Sequence, residues 1–176
     1  VNKNGDEYVC YLFAGGESTA ATARSVDFDG SGDYLTTNTS SDYTLGTGDF
    51  TIEYWYKIPF WGVMMICGGS ATNPLCTYVN GSGFHKLQTG AADRIVSKAQ
   101  ATDQWHHAAI VRSSGVTKMY VNGIKEGVDY NDTTDYSSTS FTIGRNNSQF
   151  GELYQFNGEL SNFKITKGTA LYTSSF

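Results

Sequence analysis

The chain has 176 residues, of which 39% are hydrophobic, 14% aromatic and 16% charged, with 20 glycines. One domain of that length buries roughly 70% of its unfolded-chain surface, and the sparse charge with abundant aromatics and glycine suits short strands and tight turns, not a helical bundle. The formal net charge of −5, with 12 Lys and Arg scattered singly, argues against nucleic-acid binding, which needs clustered cations to displace counterions.

Tyr8 to Ala14 is an aromatic and β-branched run that reads as a strand, and the small-residue stretch Gly15 to Ala23 has linker composition. From Arg24 onward strands and turns alternate. Ser25 to Phe28 and Asp33 to Leu35 bracket the turn Asp29-Gly30-Ser31-Gly32. Phe50 to Ile58 alternates cleanly, with Phe50, Ile52, Tyr54, Tyr56 and Ile58 on one face and Thr51, Glu53, Trp55 and Lys57 on the other. The apolar run Pro59 to Cys67 is far too short to cross a membrane and contains Gly62. Gly62 to Cys67 and Cys76 to Val79 are further strands, and Asn80 to Gly83 turns the chain into Phe84 to Leu87. Arg94 to Val96 is a short strand. Trp105 to Arg112 and Thr117 to Val121 form a hairpin across Ser113-Ser114-Gly115. Asn122-Gly123 is the strongest turn signal, leading into Ile124 to Glu126. Phe141 to Gly144 and Glu159 to Thr166 complete about a dozen short strands, which predicts an all-β, two-sheet antiparallel jelly-roll sandwich. Phe50, Ile52, Tyr54, Ile110, Val121, Phe141, Ile143 and Phe163 are the expected interior. Trp105 and Tyr120 are also expected in the core, and Arg112 and Arg145, ending their strands, as solvated charges.

Five segments in order resemble the laminin-G-like branch of the concanavalin A-like lectins and glucanases: Val26 to Leu35, Phe50 to Lys57, Trp105 to Arg112, Lys118 to Gly123 and Phe156 to Ile165. They cover residues from about 24 to 176, nearly the whole chain. The resemblance implies the sandwich fold and a binding role; it leaves the ligand open. Gly5 to Ala14 resembles the closing strand of modules in phage tail and fibre proteins. Together these suggest a boundary, with residues 1–23 a strand and linker ending an upstream module and 24–176 the laminin-G-like domain. A chain opening at Val1 without leader composition reads as a piece of a longer protein, on a virion or extracellular surface. A homo-oligomer is open on this reading.

The superfamily contains glucanases, but retaining glycoside hydrolysis needs two carboxyl groups about 5–5.5 Å apart. A Glu-x-Asp-x-Glu strand would supply them; here Glu53 stands alone on its strand. No Gly-x-Ser-x-Gly elbow is present. His106 and His107 are adjacent on a strand, so they point to opposite faces and cannot share a metal. The resemblance favours a packing role for them. No enzyme is expected. Many relatives carry calcium, and Asp27, Asp29 and Asp33 set hard oxygens near a glycine-rich turn, which makes them the candidate ligands; turn-forming aspartates are the competing reading. Cys67 and Cys76 flank a turn-rich segment, open to either a disulfide across a hairpin or two buried thiols.

Glycan recognition uses aromatic faces with a few fixed polar groups. Glu53, Trp55 and Lys57 share the polar face of their strand and Trp61 lies in the loop after it, so these four are the candidate ligand-binding residues, with core packing the alternative for Trp55. The expected function is a non-catalytic binding module for a glycan or surface polymer. The alternatives are a decoration protein whose jelly roll packs on virion neighbours and, less favoured, a degenerate glycosidase.

Overall fold

The structure is a computed structural model that describes residues 8–12, 25–60, 63–68, 74–90, 92–146 and 155–176, with 8–12 and 63–65 as backbone. The expected linker, Gly15 to Ala23, and Trp61 lie outside the described residues.

The described residues form thirteen strands, in order β1 (Tyr8–Leu12), β2 (Val26–Asp29), β3 (Leu35–Thr36), β4 (Phe50–Lys57), β5 (Val63–Gly68), β6 (Leu75–Val79), β7 (Phe84–Thr89), β8 (Ala92–Ala99), β9 (His106–Ser113), β10 (Val116–Val121), β11 (Ile124–Asn131), β12 (Phe141–Ile143) and β13 (Asn157–Lys167). Among the described residues the only helix is the 3-10 turn Ser41–Tyr43. A seven-stranded sheet, sheet A, runs β1-β13-β4-β9-β10-β11, with β2 also paired to β13; sheet B runs β3-β12-β5-β6-β7-β8. Every pairing is antiparallel. β1 lies at the edge of sheet A, with Tyr8 to Leu12 alongside Phe163 to Lys167.

The expected period of two holds on β4: Phe50, Ile52, Tyr54, Tyr56 and Ile58 are fully buried. They meet Ile66, Leu75, Val79, Leu87 and Ile95 of sheet B, together with Ile110, Phe141, Ile143 and Phe163, in one apolar core. Val121 is buried as well. The core is not wholly apolar. The Tyr54 hydroxyl lies 2.7 Å from Thr77 Oγ1 and 2.8 Å from His85 Nε2. Burial, with His106 nearby, pushes the His85 imidazole down to about 3, so it is held neutral between the sheets.

Asn122 and Gly123 both adopt positive φ, 52° and 75°, the two left-handed positions of the two-residue hairpin turn that joins β10 to β11. Arg112 corrects its expectation: it is only 1% exposed. Its guanidinium donates to the Thr134 carbonyl at 2.8 Å and the Asp132 carbonyl at 2.5 Å and lies over the Tyr136 ring. The buried Asp132 carboxylate accepts from Thr117, Tyr136 and the Thr134 backbone. A strand-end arginine is buried here because the loop after β11 folds back and surrounds it with oxygens. Cys67 and Cys76, directly opposite on β5 and β6, form a disulfide.

Candidate functional site

The outward face of sheet A is built row by row from strand register. Lys164, Glu53, Ala109, Tyr120 and Lys125 lie side by side on β13, β4, β9, β10 and β11. The neighbouring row holds Ser161, Trp55 and His107. Between these two rows β4 advances two residues and β13 three, so β13 carries a bulge, with Asn162 at φ 51°. Such an extra residue re-aims the strand. Phe163 therefore enters the core while Lys164 comes opposite Glu53, its Nζ 3.1 Å from Glu53 Oε1.

The segment after β13 crosses this face. Thr51 Oγ1 donates to the Thr169 carbonyl and accepts the Leu171 N–H, and Phe176 N donates to the Gly123 carbonyl. Ala170 and Tyr172 pack on Ala109, Val111 and Tyr120. Tyr120 is thus buried as expected, but beneath this segment and outside the inter-sheet core. Tyr172 and Phe176 stack with ring centroids 3.8 Å apart.

Glu53 is the anchor. Its Oε2 accepts from the Tyr172 hydroxyl at 2.8 Å and lies 3.3 Å from His107 Nε2. Bonding to His107, Tyr172 and Lys164 outweighs burial and holds its carboxyl down to about 2. Burial and the bond to Glu53 push the Tyr172 phenol up to about 12. His107 in turn backs Trp55, with ring centroids 5.2 Å apart, and meets Phe176 edge-on at 5.9 Å. Trp55 is left 41% exposed and Phe176 55%. The face is an aromatic platform with a charged anchor beneath it.

Of the four expected ligand-binding residues, the structure brings Glu53 and Trp55 together around His107. Lys57 is directed to Glu159 at 3.1 Å, where Ser25 also binds; Trp61 is outside the described residues. Sequence reasoning missed Tyr172 and Phe176 and took His107 only for packing. Trp105, expected in the core, is 40% exposed just before β9. Of the calcium candidates, Asp29 accepts the Ser31 N–H, and Asp33 accepts the Asp29 N–H at a long 3.4 Å. Asp27 is exposed on β2. Among the described residues no three His, Cys, Asp or Glu side chains are grouped to hold a metal ion.

Two antiparallel sheets packed face to face in this order make a jelly-roll sandwich. The chain belongs to the concanavalin A-like lectin/glucanases superfamily: a laminin G family profile matches residues 29–171. Solved structures agree on the fold. The domain 4 of the GH43 extracellular arabinanase AbnA from Geobacillus stearothermophilus, in complex with arabinotriose, is 16% identical with a TM-score of 0.61, over 94% of this chain and 84% of that one. The Ruminococcus gnavus IT-sialidase CBM40, bound to α2,3-sialyllactose, is 12% identical at TM-score 0.63, over 85% of this chain and 91% of that one. Mouse laminin α1 domains LG4–5 are 15% identical at TM-score 0.65, over 86% of this chain; the match spans 44% of that chain. No curated protein sequence matches the chain.

Proposed function

We propose that this chain is a non-catalytic glycan-binding module that receives its ligand on the outer face of sheet A, with Trp55 as the stacking surface. The observation that carries the reading is the half-exposed Trp55 indole, backed by His107, on a strand whose other aromatics are fully buried. An exposed aromatic held rigid offers a sugar ring a large contact area at small entropic cost. Phe176 extends the platform, Lys57 and Glu159 supply a polar rim, and Glu53 acts from below by fixing His107 and Tyr172. A non-catalytic role is supported by the state of Glu53 itself, whose carboxylate is already taken up by His107, Lys164 and Tyr172. The Cys67–Cys76 disulfide fits an oxidising compartment and so an extracellular or virion surface. Carbohydrate ligands in the arabinanase domain and the CBM40 point the same way.

A glycan array that includes α2,3-sialyllactose and arabino-oligosaccharides tests this with the parent chain and Trp55→Ala. The parent is expected to bind at least one glycan. The variant should fold and bind about 5- to 150-fold more weakly, the loss of about 1–3 kcal/mol expected for removing a stacking aromatic. A parent that binds nothing, or a variant that binds equally well, refutes the site. The second reading, a decoration role through protein packing, is favoured by edge strand β11, where Ile124 and Val128 are both exposed. Concentration-dependent self-association without glycan binding is its signature.

A further inference from the structure

We propose a second sugar subsite on the same face: a cleft between β9–β11 and the C-terminal segment that takes one neutral hexose-sized ring. The proposal rests on the glycan-binding reading and shares Tyr172 with it, but its other residues are different. The cleft has a volume of about 250 Å³, near the lower bound for small-molecule sites, which are typically ~300 Å³ or more. It suits one ring better than an extended ligand. Val111 and Val116 line it with apolar surface, and Tyr172 adds an aromatic side. Tyr172 cannot swing away freely, because its hydroxyl is tied to Glu53 and Phe176 is stacked on its ring.

The remaining lining is polar: Ser113, Lys118 and Asp129. A sugar ring has an apolar C–H face and a rim of hydroxyls, each both donor and acceptor. The cleft offers the matching set: an aromatic side, a hydroxyl, an ammonium donor and a carboxylate acceptor. Lys118 donates only a long bond, 3.4 Å, to the Thr173 carbonyl, so a ligand hydroxyl can take its place. Asp129 pairs with Lys125 through Oδ1 alone. Lys118 and Asp129 give the cleft a charged donor and a charged acceptor, and a neutral ring can meet both with its hydroxyls.

Strand register places the cleft relative to Trp55. Trp55 is opposite His107, and Val111 is four residues further along β9, opposite Thr51. That is about 13 Å along an extended strand, a span that a short oligosaccharide bridges and a monosaccharide does not. The two subsites are therefore separately addressable by monosaccharides and jointly addressable by an oligomer.

The test is a ¹⁵N–¹H NMR titration of the full chain with D-glucose, D-galactose and N-acetyl-D-glucosamine in turn, repeated on Val116→Trp and Lys118→Ala. At least one sugar is expected to shift the amides of Ser113, Val116, Lys118 and Asp129. The indole that fills the cleft should abolish those shifts, and Lys118→Ala should weaken the sugar about tenfold, a loss of about 1.4 kcal/mol. Should Val116→Trp fail to fold, Lys118→Ala decides alone. Shifts confined to Trp55 and His107 would overturn the cleft and leave the glycan-binding reading standing; shifts confined to the cleft would support it and count against the Trp55 site. No shift at the cleft with any of the three sugars, or shifts untouched by both variants, overturns the proposal.

Discussion

Glu53→Gln is the most direct probe of the anchor beneath the aromatic platform. Glutamine keeps the size and one carbonyl acceptor but removes the charge that His107, Tyr172 and Lys164 converge on. The carboxyl sits at about 2 against an ordinary 4.5. That lowering corresponds to about 3 kcal/mol in favour of the ionised form. The folded pKa is the lower one, so this stability is fully present above pH 4.5 and is lost as pH falls from 4.5 toward 2. Urea unfolding at neutral pH should therefore show Glu53→Gln destabilised by about 2–3 kcal/mol, a fall in Tm of roughly 4–12 °C for a domain of this size. As pH falls through that window the parent should converge on the variant. A difference below about 0.5 kcal/mol at neutral pH, within the range of an ordinary surface change, or a larger one that persists unchanged at pH 2.5, would refute the claim that charge at Glu53 holds the C-terminal segment on the sheet.

Three further outcomes follow from buried groups. Gly144 has φ +92° and a Cβ there would run into the Phe28 ring; Gly144→Ala should cost about 3 kcal/mol in chemical denaturation, from backbone strain and overpacking together. Arg112 Nε also lies 4.0 Å from the Asp132 carboxylate, so Arg112→Ala leaves that buried carboxylate without its cation and should cost about 3–5 kcal/mol in the same assay. His85 is held neutral down to about 3 against 6.5, so the unfolded chain binds its proton first and stability should fall as pH drops from 6.5 toward 3. His85→Phe should flatten that part of the pH–stability curve, and an unchanged slope would contradict the assignment.

Much of the fold was legible in alternation. Phe50 to Ile58 assigned every side chain of β4 to the correct face, and Asn122-Gly123 marked the turn that its two positive φ values require. Other features depend on contacts that local patterning does not carry. Arg112 looked like a solvated strand end because its oxygens come from a loop 20 and more residues later. Trp105 looked like the start of a hydrophobic strand, but β9 begins after it. β8 extends from Ala92 to Ala99, well beyond the apolar Arg94 to Val96, because an edge strand with Ser97 and Lys98 is held by its pairing with β7, not by hydrophobic surface. The candidate site was half legible. The polar face of β4 singled out Glu53 and Trp55, but Ala170 to Phe176 has no period to announce that it lies across the sheet, so the partners that bury Glu53 were invisible.

The position of β13 bears on how the chain acquires this architecture. β4 is flanked in sheet A by β9 and β13, and its partner residues on β13, Glu159 to Lys167, are about a hundred residues further along the chain. During synthesis from the amino terminus, one long edge of β4 stays open until nearly the whole domain has emerged. A nascent chain in that interval exposes an aromatic strand edge able to pair with a neighbouring copy. Closure is set by high contact order, so folding is slow relative to domains built from local pairings. Yield in recombinant expression should accordingly depend on translation rate and chaperone supply more than the stability of the finished sandwich suggests.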